Sequence, residues 1–207
     1  MGEALTAARG QHRGVAALFA VGSMLFAIAS VASQWASASR PAIGVTFFAG
    51  SLAFTSAAFL QLRSSRGGPR GDRSAALIQF AGTLFFNVST FAGMQKGFDA
   101  RETDLRVWTP DVFGSICFLV ASELALAGVC GRWACWRSGS SAWRVAALNM
   151  LGSVLFGISA VASLVEPSTS EPVSAAIANA GTTSGALCFL GGALIMMVPT
   201  RQITSSG

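Results

Sequence analysis

Tyrosine is absent from the 207 residues, histidine occurs once, and Asp, Glu, Lys and Arg together make up 11% of the chain. Soluble domains carry about 25% charged residues, so the composition falls outside their range. The one histidine, His12, lies in the N-terminal tail, which excludes a Ser/His/Asp relay and bis-histidine haem ligation within this chain. Cysteine is sparse as well. Cys117 and Cys188 lie in apolar runs, where a thiol behaves as a small hydrophobe. Cys130 and Cys135, in VCGRWAC, have no second pair and no neighbouring His, so they read as two plain thiols in a reducing compartment, with S-acylation as the alternative and zinc not expected. No nucleophile with its base, metal-ligand set or cofactor motif assembles from the remaining residues, so an enzyme is not expected.

What is present is apolar sequence. Hydrophobic residues make up 52% of the chain and the mean hydropathy is +0.58. Uncharged runs fall at about 14–35, 41–62, 74–95, 110–131, 142–165 and 173–198, and each supplies the roughly 20 residues that cross a 30 Å hydrocarbon core as a helix. They lack period-2 alternation and exceed the strands of about 10 residues found in membrane barrels, so the expected fold is all-α: a six-helix transmembrane bundle. The first run, after MGEALTAARGQHR, is too long for the h-region of a signal peptide and is expected to be a retained helix.

Arginine sets the expected orientation. Arg9, Arg13, Arg63, Arg66, Arg70, Arg73, Arg132, Arg137, Arg144 and Arg201 fall on one side of the spans, and Arg40, Lys96, Arg101 and Arg106 on the other. The positive-inside rule then places both termini in the cytoplasm. The formal charge of +5 fits contact with anionic lipid head groups; RSSRGGPRGDR, at 63–73, has no aromatic platforms for nucleic acid.

Each run carries one short signature: Gly, then Ser, Thr or Ala, then Phe four residues after the Gly. The pairs are Gly22 and Phe26, Gly50 and Phe54, Gly82 and Phe86, Gly114 and Phe118, Gly152 and Phe156, and Gly185 and Phe189. Residues 15–33 and 145–163 are identical at 12 of 19 positions, which reads as internal repetition. The expected unit is a two-helix hairpin used three times, at 14–62, 74–131 and 142–198, around a pseudo-threefold axis. Gly and Phe four apart share a helix face, where Gly allows close backbone approach and Phe fills the groove. Ser at the second position is expected to return its hydroxyl to a carbonyl one turn back.

The GSxLF pattern of the odd helices, FFAGSLAFTSAAFLQLR, WRVAALNMLGSVLFGISAVAS and NAGTTSGALCFLGGAL resemble the YrhK-like repeats of uncharacterised actinobacterial integral membrane proteins. The resemblance implies a multi-pass protein of the bacterial inner membrane and supplies no activity, cofactor or catalytic residue.

Few side chains remain as candidates for function. Glu123 is the one carboxylate or base well inside an expected span, and such residues face a bundle interior, water or a partner. By helical rotation it lies about 180° from Gly114, away from the motif face. Depth matches it with Asn149 and Gln79, either as interhelical glue or as a proton or cation site, and leaves Asn87 and Asn179 too near the outer side. Asp99, Glu102, Asp104 and Asp111 could gather a divalent cation, but Lys96, Arg101 and Arg106 are interleaved with them, so a solvated loop is expected, with Pro110 and Asp111 opening the fourth helix. Trp133, Trp136 and Trp143 read as an interfacial belt. The expected function is a noncatalytic scaffold, accessory subunit or lipid-contacting element, with membrane lipids and a protein partner or second copy as partners. The alternative is a small proton-coupled or cation transporter or channel using Glu123.

Overall fold

The computed structural model describes residues 2–35, 37–131, 133, 135–136 and 139–198. Helices run Gly2–Ala32 (α1), Arg40–Ser64 (α2), Arg70–Ala92 (α3), Ala100–Thr103 (α4), Thr109–Cys130 (α5), Ser141–Ala162 (α6) and Ala175–Met197 (α7). Six stretches are long and apolar enough to cross a membrane: His12–Ala32, Arg40–Ser64, Arg70–Ala92, Ala100–Cys130, Ser141–Ala162 and Ala175–Met197. Their outward faces are apolar, with Ile28, Val88, Ile116 and Leu187 about half exposed, as a hydrocarbon solvent requires.

The long helices form a closed ring. α1 packs on α2, α3 on α5 and α6 on α7, while α2 meets α3, α5 meets α6 and α7 returns to α1. Within each of the first three pairs the motif glycines bring the backbones together. A Cβ on Gly22 would stand 3.0 Å from the carbonyl oxygen of Gly50, one on Gly114 would be 3.2 Å from that of Gly82, and one on Gly152 would be 3.0 Å from that of Gly185. Each glycine also receives the phenylalanine of the facing helix: Gly22 meets Phe54, Gly50 meets Phe26, Gly82 meets Phe118 and Gly114 meets Phe86. The same exchange joins Gly152 with Phe189 and Gly185 with Phe156.

Hydroxyl bridges occupy the seams between those pairs. Ser51 and Thr90 share a 3.0 Å hydrogen bond and Thr55 donates to Asn87 Oδ1 across α2 and α3. Ser122 and Ser153 share one of 2.8 Å across α5 and α6, while Ser30 donates to the carbonyl of Asn179 and receives from Thr183 across α1 and α7. The expected back-bond to the preceding turn forms at Ser51 and Thr83. Ser153 donates across the seam to the carbonyl of Phe118 instead, because the α5 backbone comes within reach.

The link before α5 departs from the expected loop. Asp99 and Glu102 cap one another, Glu102 N donating to Asp99 Oδ1 at 2.7 Å, and start α4. A π-helical turn over Asp104–Trp108 then carries the chain into α5 without a break. Pro110 stands in the first turn of α5, as expected, but α5 has no free end there: Pro110 has no N–H to bond back, its ring crowds the preceding turn, and the wider turn, in which Thr109 N–H reaches the carbonyl of Asp104, absorbs the conflict. Asp104 accepts from Val165 N at 3.0 Å, and Trp108 Nε1 donates to the carbonyl of Ala160. This segment is therefore tied to the end of α6 and to a two-residue antiparallel pair, Val165–Glu166 (β1) with Glu171–Pro172 (β2).

The cysteines also depart from the expected free thiols. Gly131 ends α5 with φ of 68°, a left-handed turn that glycine adopts without steric cost. The chain folds back so that Cys130 and Cys135 come to a Cα separation of 5.5 Å and form a disulfide; they are not free thiols and offer nothing to acylate. Trp143 Nε1 donates to the carbonyl of Cys135, and Trp136 packs on the Trp143 ring. Trp133 and Trp136 are largely exposed. Arg132, Arg137 and Arg201, and the side chain of Arg9, lie outside the described residues.

Candidate functional site: two cavities divided by a phenylalanine plug

The six motif phenylalanines meet at the centre of the ring. Phe54, Phe118 and Phe189, from α2, α5 and α7, touch pairwise with ring centroids 5.6–6.3 Å apart. Phe26 and Phe86, from α1 and α3, both touch Phe156 of α6 at about 6 Å. Between the two sets, Phe26 meets Phe54, Phe86 meets Phe118 and Phe156 meets Phe189 at 5.1–5.4 Å. All six are buried. Phe follows Gly along the chain, so helices running in opposite directions carry it to opposite sides of the glycine level, and the two sets stack into a two-layer plug.

On the arginine-rich side of the plug lies a cavity of about 1020 Å³. Its polar walls come from four helices: His12 and Arg13 of α1, Gln61 of α2, Asp72 and Gln79 of α3, and Asn149 of α6. Phe19, Phe189 and Met196 supply apolar surface. The lining follows the motif spacing, since Phe19, Gln79 and Asn149 each stand three residues before a motif glycine, and His12 and Asp72 ten before. Gln79 and Asn149 both line this cavity. A Cβ on Gly192 would lie 3.0 Å from Asn149 Oδ1, so glycine there leaves room for the amide.

Glu123 is absent from the cavity wall. On α5 it lies about 20° round from Ile116 and 60° from Val120, both exposed, and about 140° from the buried Phe118. It is partly exposed and makes no hydrogen bond or ion pair among the described residues. The expected trio is therefore a pair: the rotation that takes Glu123 off the motif face also takes it off the inner wall.

On the opposite side of the plug is a chamber of about 30 Å³, walled by Phe26, Phe86 and Phe156 and carrying Asp111, Ser115, Ser159 and Thr182. The continuous helix through the π turn puts Asp111 here, inside the bundle, where the sequence reading had it at a helix start. Asp111 and Thr182 also stand three residues before a motif glycine, with Phe47 at the matching position of α2. Reading the repeat at that offset would have singled out Asp111.

Compared with protein-family models, curated proteins and solved structures, the chain matches none.

The other acids of the 96–111 link serve local structure. Glu102 pairs with Arg106 at 3.9 Å, and the Arg106 guanidinium sits over the Phe98 ring. With Asp99 in the cap and Asp104 on the Val165 amide, the four acids do not converge, and no group of three or more His, Cys, Asp or Glu gathers among the described residues.

Proposed function

We propose that this chain is a noncatalytic, multi-pass protein of the bacterial inner membrane that serves as a scaffold or accessory subunit, built from three hairpin repeats with both termini cytoplasmic. The observation that carries the reading is the six-phenylalanine plug, which fills the axis between the two cavities and leaves the centre of the bundle to packing. Kinship with YrhK-like proteins is proposed on the sequence motifs. Ten basic residues on one side support the orientation, and the Cys130–Cys135 disulfide in a link on that side pulls the other way.

Glu123 supports a protein partner in the membrane. A carboxylate beside exposed Ile116 and Val120, with no partner among the described residues, is costly against hydrocarbon and gains from a basic or hydrogen-bonding side chain on another transmembrane helix. The test is purification from native membranes in mild detergent, with the retained proteins and lipids quantified by mass spectrometry for wild type and Glu123→Gln. A partner or second copy in fixed ratio, depleted in the variant, supports the reading. Wild type recovered as a lone chain overturns it.

A second reading, a small proton- or cation-coupled transporter, is favoured by one arrangement: a large cavity and a carboxylate-bearing chamber on opposite sides of a single hydrophobic barrier. In that reading Asp111 replaces Glu123 as the coupling group.

A further inference from the structure

The chamber beyond the plug has an unusual set of polar groups. Ser115 is 3% exposed and its Oγ is fully buried with no hydrogen-bond partner. Asp111, one turn earlier on the same helix, makes no hydrogen bond or ion pair among the described residues. Ser159 donates to the carbonyl of Ala178 and shares a 2.7 Å hydrogen bond with Thr182. Since its own proton is taken, the shared proton comes from Thr182, whose oxygen lone pairs are left free.

Among the described residues, every polar side chain lining the chamber thus presents oxygen, and no nitrogen or cationic group lines it. Oxygen-only donors select hard cations. A single carboxylate balances one positive charge, and calcium, which takes six to eight oxygens, is poorly served by one carboxylate and three hydroxyls. The volume, about 30 Å³, holds a water molecule or two and is too small for a hydrated ion, so the guest is a single small ion stripped of most of its hydration shell. Three phenylalanine rings form the rest of the wall, and they offer nothing to repay the desolvation of a carboxylate left alone. Asp111 is itself partly exposed, which gives the chamber an entrance at the arginine-poor end.

We propose that Asp111, Ser115, Ser159 and Thr182 form a binding site for one dehydrated, sodium-sized monovalent cation. Asp111 supplies the charge, and the hydroxyls replace the hydration shell. The site is independent of the scaffold reading, because a bound ion steadies a closed bundle as readily as it accompanies a transported one.

The test is thermal unfolding of the purified full-length chain in detergent at constant ionic strength, with sodium chloride replaced stepwise by N-methyl-D-glucamine chloride. Tm of wild type is expected to rise with sodium and saturate, as for any ligand that binds the folded state alone. Asp111→Asn is expected to abolish the rise, and Ser115→Ala to shift the half-saturating sodium concentration upward about tenfold, the loss of one ligand. Should Asp111→Asn fail to fold, direct ²²Na⁺ binding to wild type and Ser115→Ala gives the same comparison. Equal Tm in both salts, or a sodium dependence that Ser115→Ala leaves unchanged, would overturn the proposal.

Discussion

At the scale of single residues, the motif glycines are tightly constrained positions. A Cβ on Gly185 would collide with the Phe156 ring and stand 2.9 Å from the Gly152 carbonyl oxygen, and neither can yield without separating α6 from α7. Gly157, on the same α6, would place a Cβ in ordinary contact, 3.5 Å from Leu119 Cδ1. Gly185→Ala is accordingly expected to cost about 1–3 kcal/mol as overpacking, and Gly157→Ala to lie within error of wild type. Unfolding of the two variants in detergent, measured side by side, checks this; equal stability would mean that the glycine contact is not tight. These glycines were legible because Gly and Phe recur at fixed spacing in every run. The role of Asp111 was not, since an Asp after a Pro reads as a residue at a free helix end, and only the backbone of the preceding turn shows that the helix continues through it. For Glu123, rotation gave the face it leaves, but the neighbours on the other side of α5 depend on ring order, which no local pattern encodes.

At the scale of elements, the spans were legible because each needs only about 20 uncharged residues, whereas their connections depend on tertiary contacts. The 96–111 link is the clearest case. Its charges suggested a solvated loop, but the chain remains helical from Ala100, held by the Asp99–Glu102 cap and by Asp104 on the Val165 amide. That last bond ties together segments 61 residues apart, beyond the reach of any short motif. Asp104→Ala leaves the Val165 N–H without its acceptor, at a local cost of about 1–3 kcal/mol. Hydrogen–deuterium exchange is expected to speed up over residues 164–173 with little change in α3. Unchanged exchange in that hairpin would show that the latch contributes nothing to its order. The disulfide was missed for a related reason: the separation of five residues is compatible with two free thiols, and it is the left-handed turn at Gly131 that brings the pair together.

At the scale of the whole molecule, a proposed orientation is joined to a closed axis. Both termini in the cytoplasm predicts that a fluorescent protein fused after Gly207 is bright and that alkaline phosphatase at the same place is inactive. The opposite pattern would reverse the bundle and place the Cys130–Cys135 disulfide in an oxidising compartment. Neither result alters the centre of the molecule, where phenylalanines from all six long helices fill the space between a cavity of about 1020 Å³ and a chamber of about 30 Å³. Flux through sealed liposomes carrying purified wild-type protein tests that centre most directly. With proton and sodium gradients imposed in turn, leak rates equal to those of protein-free vesicles are expected. Protein-dependent flux of either ion would contradict the closed axis and make transport the function of this chain.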